Sequence, residues 1–202
     1  MIKPSGLRIG LFGIGLDAYW KQFPGLEDRL KDYVSRAAGR LEQFGATVVN
    51  LGLIDTPQTA LDAGHRFRQA DVDVIFLYVT TYALSSTVLP VVRRAKVPVV
   101  VLSLSPGAAI DYPAFNRLAN RTQMTGEWLA WCQACSVPEI SNVFARARIP
   151  FFQVTGMLEN DPVAWHGIED WVAAARVAHV MEHNQLGLLG RYYGGMLDIY
   201  QT

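Results

Sequence analysis

Short apolar, β-rich runs alternate with amphipathic segments along most of the chain, and this alternation limits the fold more than any single motif. The runs are Arg8 to Phe12, Ala46 to Leu51, Val72 to Val79, Val97 to Leu104 and Phe151 to Thr155. Between them lie helical patterns. From Pro24 to Phe44, Leu26, Leu30, Tyr33, Val34, Ala37, Leu41 and Phe44 fall on one stripe. Thr56-Pro57 opens a helix to about Gln69, Leu84 to Ala95 forms a short one, and Thr122 to Cys135 a third. Ser136-Val137-Pro138-Glu139 reads as a capping box, and Asp161-Pro162 caps a long helix to about His183. Strands this apolar need cover on both faces, and strands joined through helices pair in parallel. Five such units predict an α/β, doubly wound, parallel five-stranded sheet, flavodoxin-like, with order 2-1-3-4-5 by analogy. Residues 1–184 form this N-terminal domain. Leu186 to Leu189 begins a sixth strand, so residues 185–202 read as the start of a second, truncated α/β domain.

Charge narrows the function. Lys plus Arg is 18 and Asp plus Glu is 18, so the net charge is zero. A nucleic-acid binder needs a basic face, and this balance argues against one. Charged residues are 18% of the 202, below the usual ~25%. Low charge and zero net charge favour self-association, so a homo-oligomer is expected. No apolar stretch approaches ~18 residues, so no membrane partner is expected. The first residues lack a signal peptide's apolar region, which predicts a cytoplasmic protein with Cys132 and Cys135 reduced.

In this fold, ligands gather beyond the carboxyl ends of the strands. Gly13-x-Gly15-x-x-Ala18 matches a dinucleotide fingerprint as a string, but the second strand, whose end should carry the ribose-binding acid, starts only at about Ala46 and carries Asn50. Tyr19 and Trp20 would also crowd a pyrophosphate. Asp17, Tyr19, Trp20 and Lys21 suit a polyol or sugar; an aromatic turn packed on a neighbouring subunit fits them equally. Thr80-Thr81 stands where a phospho-receiver needs aspartate, and no Ser/Thr-rich flavin loop follows strand one. His179-x-x-Glu182-His183 matches an inverted zincin string, yet histidines in a helix's last turn serve its negative end. Cys132-x-x-Cys135 follows a helix, and two buried structural thiols are expected. No catalytic triad or paired-carboxylate site stands out.

Three segments carry a resemblance to a known family: Gly15 to Trp20; Cys135 to Arg146 with Ile149 to Gly156; and Arg191 to Asp198. Together they resemble the N-terminal part of the L-arabinose/L-fucose isomerase family. The resemblance implies an aldose–ketose isomerase whose divalent metal, usually manganese, and catalytic carboxylates lie outside this segment. The segment alone is then expected to hold no metal and no catalytic residue. It would supply a wall of the sugar pocket and oligomer contacts. Leu16, Ala18 and Tyr19 match the family's sugar-reaching loop, with Leu16 and Ala18 departing from its residues. Tyr82 falls on a pocket aromatic and Met196 on a methionine just inside the next domain. The expected substrate-binding set is Leu16, Asp17, Ala18, Tyr19, Trp20, Tyr82 and Met196. A free-standing sugar-binding or regulatory α/β module is the alternative.

Overall fold

A computed structural model describes residues 6–185 and Gly187. Five strands, β1 (Arg8–Ile14), β2 (Thr47–Ile54), β3 (Val74–Tyr78), β4 (Val99–Ser105) and β5 (Phe151–Met157), form one sheet. All neighbours pair in parallel, in the order β2-β1-β3-β4-β5. This is the doubly wound, flavodoxin-like α/β class read from the sequence. The sixth strand, the second domain and Met196 fall outside the described residues.

The helices are α1 (Asp17–Gln22), α2 (Leu26–Gln43), α3 (Pro57–Gln69), α4 (Leu89–Ala95), α5 (Tyr112–Phe115), α6 (Arg121–Leu129), α7 (Val137–Arg146) and α8 (Pro162–His183). Strand alternation sends side chains to two cores. Ile9, Leu11, Phe76, Tyr78 and Leu102 meet α2 and α8 on one face. Phe12, Ile14, Ile75, Leu77 and Val101 meet α3, α4 and α7 on the other. Each such buried side chain contributes about 1.5–3 kcal/mol relative to exposure. Gly13 lets α2 come close to β1, because a Cβ there would collide with Val34 and stand 2.9 Å from Leu53.

Three local expectations change. The stretch before Pro24 is itself helical: α1 forms directly after β1, and Gly25, at φ 84°, turns the chain into α2. Only glycine takes that left-handed conformation without strain. The Ser136/Glu139 capping box does not form. Ser136 makes no cap bond, and both side chains instead hold the loop after β3. A reciprocal box does form at Thr56 and Thr59, opening α3. Finally, β5 is not covered on both faces: Phe152 is 42% exposed and stacks on Trp171 at 3.9 Å. Edge position explains this, since β5 has a strand neighbour on one side only. Among the described residues, no helix is long and apolar enough to cross a membrane.

Candidate ligand-binding site

The strand order reverses between β1 and β3, and doubly wound sheets open a crevice at that switch point. Here the strand ends at that point are tied together by buried polar bonds. Thr80 Oγ1 donates to the Ile14 carbonyl and accepts from the Ile14 N–H at 3.1 Å, tying β3's end to β1's. Thr81 Oγ1 donates to the Leu129 carbonyl at 2.7 Å. Gln133 Nε2 donates to the carbonyls of Thr80 and Ala130 at 2.9 and 2.7 Å. Ser136 Oγ accepts from the Ala83 N–H at 3.2 Å and donates to the Thr81 carbonyl at 3.3 Å. Buried polar groups persist when bonded, and these bonds fasten the Thr80–Ala83 loop to the α6–α7 turn.

α1 closes one side. The Gly15 N–H donates to the Ile54 carbonyl at 3.0 Å, and Trp20 Nε1 donates to Asp55 Oδ2 at 2.7 Å. The Trp20 ring lies under Gly15, where a Cβ would stand 2.6 Å from it. The glycines of the fingerprint therefore serve ring and helix packing. Tyr19 is half-buried, with Phe23 at 5.8 Å and Trp20 at 6.4 Å. Burial, then the nearby Tyr82 and Cys132, push the Tyr19 phenol above its usual range.

Next to this cluster runs a groove of about 290 Å³ between the start of α2 and α6. Phe23, Leu26 and Leu118 give it apolar lining; Arg29, Thr122 and Gln123 give it polar atoms, and Glu127 stands opposite Arg29. Arg29 Nη1 and Nη2 fork onto the Glu127 carboxylate at 2.5 and 3.2 Å, and its Nε donates to Tyr33 Oη at 2.7 Å. Trp131 Nε1 donates to the same carboxylate at 3.0 Å. The Arg29 bonds, with Trp131 adding, hold the Glu127 carboxyl below its usual range despite burial. Burial works against Arg29's charge, but its bonds to Glu127 and Tyr33 leave its pKa raised.

Of the residues expected from sequence, Tyr19 packs with Trp20 and Phe23, and Tyr82 is 39% exposed on the loop after β3. Leu16 is the extended residue before α1, and Asp17 and Ala18 are exposed on α1's first turn. Trp20 is engaged by Asp55. The sequence reading missed Phe23, Arg29, Glu127 and Trp131. Arg29 and Glu127 are 98 positions apart. Only the Glu127/Trp131 spacing of one helical turn hinted at a shared face.

The other motifs lie elsewhere. His179 is buried against Asp73, Nδ1 to Oδ1 at 2.6 Å, and Asp73 Oδ2 accepts from the Arg8 N–H at 2.7 Å. That pair is at the sheet's amino end, and His183 stacks on His179 at 4.3 Å. His65 Nδ1 accepts from Arg94 Nε on the α3–α4 side, and His166 is exposed on α8. Among the described residues, no group of three or more His, Cys, Asp or Glu is placed to hold a metal ion. Cys132 is buried but Cys135 is exposed, so the two are not both core thiols.

No family model matches the chain, and no curated protein matches it. Solved structures do align. One is a GDSL-like lipase from Bacteroides thetaiotaomicron VPI-5482, at 14% identity, covering 87% of this chain and 87% of that one, with TM-score 0.37. Another, from Bacteroides fragilis NCTC 9343, is described as an acylhydrolase, at 14% identity, covering 85% and 86%, with TM-score 0.39. These findings overturn the L-arabinose/L-fucose isomerase resemblance and the manganese-dependent aldose–ketose reaction drawn from it. Nor do they favour the free-standing sugar-binding or regulatory module. The residues behind the resemblance have local duties: Trp20 packs under Gly15, and Ser136 and Glu139 hold the loop after β3. Superpositions this loose do not carry lipase or acylhydrolase chemistry to this chain.

Proposed function

We propose that the chain binds a small, neutral, hydroxyl-rich molecule in the groove between α2 and α6, beside Tyr19, which packs on the lining residue Phe23. The carrying observation is the closed Arg29–Glu127 pair. Its two charges cancel, so the groove offers no net positive charge to a phosphate or carboxylate. It offers instead two unused Arg29 N–H donors, carboxylate lone pairs, the Gln123 amide and the Thr122 hydroxyl beside apolar lining. That mixture suits alternating C–H and O–H groups, as on a sugar or polyol.

Trp131 reports on the groove because its indole N–H rests on Glu127. Titrating the chain with neutral aldoses, ketoses and polyols should give a saturable change in tryptophan emission that Trp131→Phe removes. A response to inorganic phosphate or simple carboxylates, with none to any neutral polyol, would defeat the reading.

A further inference from the structure

We propose that Cys132 and Cys135 form a redox-active dithiol that closes to a disulfide by exchange with small-molecule disulfides. The two residues are the first and fourth of a turn: the Cys135 N–H donates to the Cys132 carbonyl at 3.3 Å. A hydrogen-bonded turn brings those Cα atoms within about 7 Å, and disulfides span about 4.4–6.8 Å. The turn lies between α6 and α7, not within a helix, so closure requires no helical bond to break. The thiols differ in access: Cys132 is 2% exposed, whereas Cys135 is exposed. They also sense one another, since burial and the adjacent Cys135 thiol push the Cys132 thiol well above its usual range.

This asymmetry orders the chemistry. The Cys135 thiolate attacks one sulfur of a disulfide RSSR. A Cys135–SR bond forms, the S–S bond breaks, and RS⁻ leaves to take up the proton that Cys135 lost. Cys132 then loses its proton to solvent and attacks the Cys135 sulfur. The Cys132–Cys135 bond forms, and the second R group leaves as RS⁻ and is protonated. Two thiols give up two electrons and two protons, and RSSR becomes two RSH. Cys132 is reluctant to ionise, so the second step is slower and a mixed disulfide on Cys135 appears first.

The test uses the full 202-residue chain, reduced, then mixed with oxidised and reduced glutathione, acid-quenched and read by intact mass. The wild type should pass through one glutathione adduct and end as a species two hydrogens lighter than the dithiol. Cys132→Ser and Cys132→Ala should stop at the adduct. Cys135→Ser should react at least about tenfold more slowly, because a buried thiol must wait for local opening. A wild-type chain that stops at the adduct, or does not react while folded, overturns the proposal. So does a folded Cys135→Ser chain that reacts at the wild-type rate. If the Cys132 variants fail to fold, the wild-type time course still decides.

Discussion

Replacing Glu127 by Gln tests the pair at the centre of the groove. The substitution keeps the side chain's size and one acceptor oxygen but removes the charge. Arg29 then keeps its bond to Tyr33 but faces a neutral amide. Exposed ion pairs contribute about 0–1 kcal/mol, whereas stranding a fully buried partner costs about 3–5 kcal/mol. The two side chains are 36% and 31% exposed, between these limits. After discounting for solvent screening, E127Q should cost about 1–2 kcal/mol near neutrality. For a chain of this size that is a fall in Tm of about 2–8 °C. The pH dependence has a definite sign. The folded Glu127 carboxyl lies below its unfolded value, first because of Arg29. Its contribution is therefore present above the unfolded pKa of about 4.3 and is lost as pH falls through the folded one. Urea unfolding of both proteins at several pH values checks this. The stability gap should be full at about pH 7 and should shrink below about pH 4. Equal stabilities at neutral pH, or a gap unchanged by acid, would refute the reasoning.

Ser136→Ala removes the acceptor for the buried Ala83 N–H and the donor to the Thr81 carbonyl. It should cost about 1–3 kcal/mol in denaturant unfolding, and Ser136→Thr should not restore the loss if the site is as tightly closed as its 0% exposure implies. Gly15→Ala places a methyl 2.6 Å from the Trp20 ring. It should cost about 1–3 kcal/mol and move the ring off Asp55, read as a red shift in emission that Trp20→Phe abolishes. Along α8, Val177, Val180 and Met181 are 63%, 44% and 67% exposed. If copies of the chain meet there, Val177→Lys with Met181→Lys should lower the sedimentation coefficient at high concentration without changing Tm by more than a few degrees.

What could be read from the sequence followed from apolar patterning. The five strands stand out as short, unbroken apolar runs and α2 as a stripe at helical spacing, and the strand bounds shifted by only a few positions. α1 escaped because six residues between Leu16 and Phe23 are too few to display a stripe. β5 reads as a strand at the sheet's edge, but its partial cover does not show, because an apolar run such as Phe151-Phe152-Gln153-Val154 does not reveal how far its faces are covered. The Ser136/Glu139 pattern misled for a different reason. A capping box is a local solution, and here a loop more than fifty positions away competed for the same side chains and won. The groove was illegible on the same ground: Arg29 and Glu127 meet only through the packing of α2 against α6, and no spacing encodes that.

The bonds at the switch point also fix the loop that follows β3. Apolar packing fixes distances loosely, because side chains can slide past one another. Buried hydrogen bonds have direction, and misaligning one costs about 1–3 kcal/mol. Thr80, Thr81, Gln133 and Ser136 are all at most 2% exposed, and their bonds converge on a single loop. The loop carrying Tyr82 should therefore be stiff, although it lies outside any strand. Amide exchange measures this directly. The Ala83 N–H, which donates to Ser136 Oγ, should exchange about as slowly as the strand amides of β3, and Ser136→Ala should release it toward the rate of an open loop. Fast exchange at Ala83 in the wild type would mean that the bonds do not hold the loop that carries Tyr82.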